Sequence, residues 1–202
     1  MAIGKVRRRV ALALLALTVS AVSMGAALIS KEDGDRLQKK IDEIARNGNA
    51  APVAAKKTPF SEAEANSYLA FNLKEKIPQG LTQPQLAMLG SGQLAGRVVM
   101  DIDEFKRKRK SRGFIDPLNY VSGKVPITAR GALRTQNGEG RFTLASAEIH
   151  GVPLPKPILQ ELVTYFSRTH DNPRGFDMDK PFNLPANIRE VVINTGEAIV
   201  FQ

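Results

Sequence analysis

The chain has 202 residues, no cysteine, two histidines and a net charge of +9. No disulfide framework, thiolate zinc site or lipid-modified cysteine can be built from it, and His150 with His170 is thin material for histidine catalysis. Its 43% hydrophobic and 24% charged residues suit one folded domain of ordinary size.

The N-terminus carries the first charge cluster, Lys5, Arg7, Arg8 and Arg9, followed by an uncharged run over residues 10–29. That run is as long as the roughly 20 residues that a helix needs to cross a bilayer. Basic residues ahead of it place the N-terminus in the cytoplasm and the remainder outside. Ala21-Val22-Ser23 resembles a cleavage site, so a secretory signal peptide stands beside the retained anchor over residues 1–30. Either reading puts the body in the periplasm or outside the cell, tied to the inner membrane where the anchor is kept.

Residues 31–59 read as a short amphipathic helix, with Leu37, Ile41 and Ile44 on one side, and an Ala/Pro/Lys linker. The two together suggest a stalk. The folded domain then spans residues 60–202. It opens on "FSEAEANSYLAFNLKEKIP", where Ser61 and Glu64 make a capping box and Ala65, Leu69, Leu73 and Ile77 a helical stripe ended by Pro78. "QLAGRVVMDID" reads as a strand. "VSGKVPITARGALR" alternates most clearly, with Val121, Val125, Ile127, Ala129 and Leu133 on one face and Ser122, Lys124, Thr128, Arg130 and Arg134 on the other. Asn137-Gly138 predicts a hairpin turn into "RFTLASAEIH", and "IREVVINTGEAIVFQ" a second hairpin around Asn194-Thr195-Gly196.

Between these hairpins, "GVPLPKPILQELVTYFSR" turns into a helix with Pro157 in its first turn and Ile158, Leu159, Leu162, Val163 and Phe166 on one side. The expected fold is α+β: a long, curled antiparallel sheet wrapped around one or two amphipathic helices. Its apolar sheet face is lined partly by Gly123, Ala129 and Gly131, which invites a helix or a lipid tail to lie on it.

The stretch from Glu62 to Leu69, the run Gly151-Val152-Pro153-Leu154-Pro155 with the helix after it, Leu184-Pro185 and the closing hairpin are shared features. In them the chain resembles bacterial extracytoplasmic lipid-binding proteins of the LmeA and YceB type, related to the tubular lipid-binding (TULIP) superfamily. The resemblance covers about residues 60–202 and implies binding or transfer of a phospholipid or other acyl lipid, with no cofactor and no catalysis. This chain departs from the pattern by its basic run and its anchor. Acyl chains are then expected between Val125, Ile127, Ala129 and Leu133 of the sheet and Leu159, Leu162, Val163 and Phe166 of the helix.

The second charge cluster, Lys106, Arg107, Lys108, Arg109, Lys110 and Arg112, falls in "FKRKRKSRGF". Without the ten residues of the two clusters, 19 basic residues face 20 acidic ones, so the body is nearly neutral. Export and the absence of interleaved stacking aromatics argue against nucleic acid. Lys106 to Lys110 are therefore assigned to lipid headgroups or the membrane surface. Asp101 and Asp103 form a D-x-D pair without a nucleotide-binding unit, and no metal is assigned to them. The contrasting expectation is a non-catalytic cell-envelope assembly protein that binds a partner protein through its apolar face.

Overall fold

The computed structural model describes residues 29–108, 117–168, 170 and 172–202. The fold is mixed α+β with a six-stranded antiparallel sheet as its largest element. The expected anchor lies outside the described residues except for Ile29 and Ser30, as do Arg109 and Lys110. Among the described residues no helix is long and apolar enough to cross a membrane.

Helix α1 (Lys31–Gly48) begins where the Ser30 side chain accepts the Asp33 N–H, with Glu32 and Asp33 complementing the positive helix end. It is not a stalk. Leu37 and Ile44 are buried, and Leu37 joins a core with Ala65, Met88, Ile193 and Ala198. Both ends of α1 are fastened. At the start, the Ser30 N–H donates to the buried Ser67 Oγ at 3.1 Å. At the other end, Gln202 Nε2 donates to Ile44 O at 2.9 Å and to Ala186 O at 2.6 Å, while Asn187 Nδ2 donates to Gly48 O at 2.6 Å.

Strand β1 (Lys57–Ser61) occupies the end of the expected linker, so the domain starts before residue 60. It pairs with β9 (Glu197–Phe201), which pairs with β8 (Glu190–Asn194), in a small antiparallel sheet. The opening helix is shorter than its stripe predicts. Its capping box forms as expected: Ser61 N–H donates to Glu64 Oε2 at 2.8 Å and Glu64 N–H to Ser61 Oγ at 3.1 Å. Lys40 of α1 reaches the same buried carboxylate at 2.7 Å. After α2 (Glu62–Ser67), however, the chain widens into a π-helical turn, Tyr68–Asn72, and then a 3₁₀ turn, Lys74–Lys76.

The large sheet runs β2 (Leu81–Gly90), β3 (Gln93–Asp101), β4 (Lys124–Gln136), β5 (Glu139–Ile149), β6 (Val152–Pro153), with β7 (Phe182–Asn183) on β5. Asn137 (φ 53°) and Gly138 (φ 82°) make the expected turn between β4 and β5. Helix α3 (Ile102–Lys108) replaces the expected strand end. Asp101 explains why: its Oδ1 accepts the Glu104 N–H at 3.0 Å, as a helix cap does, while Asp103 Oδ2 accepts the Gly123 N–H at 2.8 Å. The D-x-D pair is thus occupied in shaping the chain.

Helix α4 (Lys156–Phe166) has Pro157 in its first turn and buries Leu159 and Leu162. Its core includes Met100, Ile102, Phe105, Val125, Ile127, Ile149 and Met178. Phe105 from α3 meets Tyr165 edge-on at 5.2 Å and stacks on Phe166 at 5.9 Å. His170 lies four residues beyond the helix and is exposed.

Candidate ligand cavity beside an edge strand

Of the eight residues assigned to acyl-chain contact, Val125, Ile127, Ala129, Leu159, Leu162, Val163 and Phe166 come together in the α4 core. They pack in one cluster, and none of them lines the cavity described below. The small-residue sheet face is covered at Gly131, though not at Gly123. A Cβ on Gly131 would stand 2.3 Å from the Phe142 ring, and one on Gly140 would stand 2.6 Å from Phe182. Aromatic rings thus lie in the hollows that the glycines leave. Leu133, the eighth residue, is half-buried and pairs with Phe142 further along the sheet.

The basic run is divided as well. Lys106 is half-buried and its Nζ donates to Val121 O at 2.5 Å, so its charge is tied to the backbone of the following segment. Arg107 is exposed, and Lys108 closes α3.

A cavity of about 630 Å³ lies elsewhere, between α2 with its π-helical turn and strand β2. Ala70, Ile77, Pro78, Leu81, Pro84 and Leu86 give it mostly apolar walls, with Glu62, Asn66, Lys74 and four side chains of the segment 79–85 supplying polar atoms. Ile29 also lines it. This size falls within the about 300–1,000 Å³ usual for small-ligand sites.

The local sequence explains the hollow. β2 is an edge of the six-stranded sheet, and an open edge presents unpaired N–H and C=O groups. Here side chains of α2 stand in for a neighbouring strand. Asn66 Nδ2 donates to Leu86 O at 2.8 Å and Leu86 N–H donates back to Asn66 Oδ1 at 2.8 Å. Glu62 Oε2 accepts the Met88 N–H at 2.6 Å. Towards the start of β2 the register shifts between Thr82 and Gln85, where Gln83 has φ 51° and Pro84 lacks an N–H. The helix side chains hold one half of the strand, and the bulged half borders the cavity. The π-helical turn that carries Ala70 widens the same region, and such turns are frequent at functional sites.

Sequence reasoning missed Asn66, Glu62 and the whole of β2. One signal was present: Pro84 inside an apolar-polar run marks an edge strand. The Asn66 clamp makes a direct prediction. Asn66→Leu removes both partners of Leu86 at once. Water entering from the cavity limits the cost to about 1 kcal/mol, at the low end of the about 1–3 for an unpaired buried group. A urea-unfolding midpoint unchanged from the parent would refute the clamp.

An open, polar groove lies away from this cavity, bordered by Arg134, Arg141 and Arg189 together with Glu139 and Glu190. Arg134 and Arg141 stand directly opposite each other on β4 and β5.

No protein-family model matches the chain, and no curated protein matches it significantly. What fold and cavity together define is a mixed α+β domain with a ligand-sized, largely apolar hollow at one edge of its main sheet.

Proposed function

We propose that the chain is a membrane-tethered, extracytoplasmic lipid-binding domain, and that the acyl chain occupies the cavity between α2 and β2. The observation that carries this reading is the largely apolar hollow of about 630 Å³ itself. The site moves from the α4 face, where apolar side chains already meet one another, to a place where apolar walls face a void. The uncharged run over residues 10–29 and the resemblance to the LmeA and YceB type support a lipid over other apolar ligands. In that reading the curled sheet and its helices form the container, and binding or transfer needs no covalent chemistry. A peptide strand added to β2 fits less well, because Asn66 and Glu62 already hold its inner half and the bulge with Pro84 disrupts its outer half.

The test is lipid extraction and mass spectrometry on the full chain purified from bacterial membranes, compared with Ala70→Trp. Ala70 is half-buried on the cavity wall, so the indole fills the hollow. The parent protein should carry stoichiometric phospholipid, and the variant should stay folded and lose it. A variant that keeps its lipid rules out this cavity. A parent that carries none and takes up none favours an assembly protein with a protein partner.

A further inference from the structure

We infer that the cavity opens towards the bilayer and takes its acyl chain directly from the leaflet in which residues 10–29 end, with α1 as the strut that fixes this orientation. The inference rests on the lipid-binding reading and adds the side from which the ligand enters.

Three observations converge. First, Ile29 is both the last residue of the uncharged run and part of the cavity wall, and it is 48% exposed. Second, no spacer separates that run from the body. Ser30 caps α1 and is held by Ser67, and α1 stays docked along its length until Gly48 meets Ala186. Its 18 residues span about 27 Å at 1.5 Å each, so the Ser30 end is the membrane end and Ala186 lies far from it. Third, groups suited to an interface collect near Ser30. Phe71, 46% exposed, is followed by exposed Lys74 and Lys76, with Glu75 as the acidic neighbour. Basic side chains favour the headgroup level, and an exposed phenylalanine beside them suits the boundary between headgroups and acyl chains. The loop after them reaches α3, since Asp101 N–H donates to Gly80 O at 2.8 Å. That helix brings the exposed Arg107 to the same end of the sheet.

Because the chain has no cysteine, each single-cysteine variant carries one label. The full chain is reconstituted in phosphatidylcholine–phosphatidylglycerol vesicles with bimane at Lys74→Cys on the cavity mouth, Thr82→Cys on its wall, or Gln136→Cys. Gln136 is seven residues along β4 from Ala129, which is in the same row as Leu86, and so about 23 Å away at 3.3 Å per residue. Lipid with a nitroxide headgroup should quench Lys74→Cys strongly and leave Gln136→Cys unquenched. Doxyl-labelled stearate should quench Thr82→Cys, and excess unlabelled oleate should reverse this. Equal headgroup quenching at Lys74→Cys and Gln136→Cys, or release of the chain from vesicles by high salt, overturns the orientation, while stearate quenching at Thr82→Cys would still uphold the lipid site. Absence of reversible stearate quenching in folded protein overturns both.

Discussion

Gly48→Ala should destabilise the protein, against the ordinary expectation for a helix. In an exposed helix interior this change gains up to about 1 kcal/mol, because glycine loses more backbone entropy on folding. Gly48 lies at the end of α1 and its backbone is not left-handed, so conformation alone gives no reason for glycine there. The reason is contact. An added Cβ would stand 2.2 Å from Ala186 O, 2.5 Å from Ala186 C and 2.7 Å from its Cα. All three atoms are backbone and no side-chain rotation relieves them. Separation of α1 from the segment before β8 would also strain the Gln202 and Asn187 bonds. The expected loss is about 1–3 kcal/mol, the usual cost of overpacking. Gly34→Ala provides a graded control. Its nearest obstacle is the Asn72 Oδ1 side-chain atom at 2.4 Å, with Ser67 backbone at 3.1 Å, so it should cost less. Urea-unfolding midpoints of the two variants decide the matter: a stabilised Gly48→Ala would mean that α1 is a free stalk, and the strut argument would fall with it.

These glycines also show where the sequence was readable and where it was not. Local rules worked where neighbours in the chain settle the outcome. Ser61 and Glu64 cap each other, Asn137-Gly138 turns a hairpin, Gly196 turns another, and Pro157 sits in the first turn of α4. The stripe of Leu37, Ile41 and Ile44 was legible too, but the charged residues around it look the same on a stalk and on a helix docked by one narrow seam. Gly34 and Gly48 were the hint of close packing, and their partners Asn72 and Ala186 are far off in sequence. Strand β2 escaped because Pro84 and two glutamines, Gln83 and Gln85, blur its alternation, and its edge bonds come from side chains of a helix. The cavity was least legible of all. A void depends on which side chains fail to meet, and over Gly131 it is Phe142 of the next strand that fills the space the pattern suggested was open. That placement follows from a register shift in β5 opposite Arg130 and Gly131 which alternation alone does not show.

Leu162→Ala should cost about 2–5 kcal/mol, the range for truncating a large buried aliphatic side chain. Leu162 is 4% exposed in the cluster that holds Met100, Phe105, Val125 and Met178. The size of the loss is informative because it depends on what α4 covers. If acyl chains normally lay under this helix, truncation would enlarge a ligand groove. Stability without lipid would then change little, and bound lipid would rise. If the helix seals a core, stability falls whether or not lipid is present, and the lipid content of the folded fraction stays as in the parent. Unfolding midpoints and extracted lipid from the same preparation separate the two outcomes. The second is expected on physical grounds. An 11-residue helix is marginal on its own in water and owes its stability to packing. With Leu159 and Leu162 buried and Tyr165 and Phe166 locked against Phe105, α4 cannot lift to admit a lipid without giving up the contacts that keep it helical. The hollow beside β2 carries no such penalty, since the clamp from Asn66 holds that edge while the space next to it stays open.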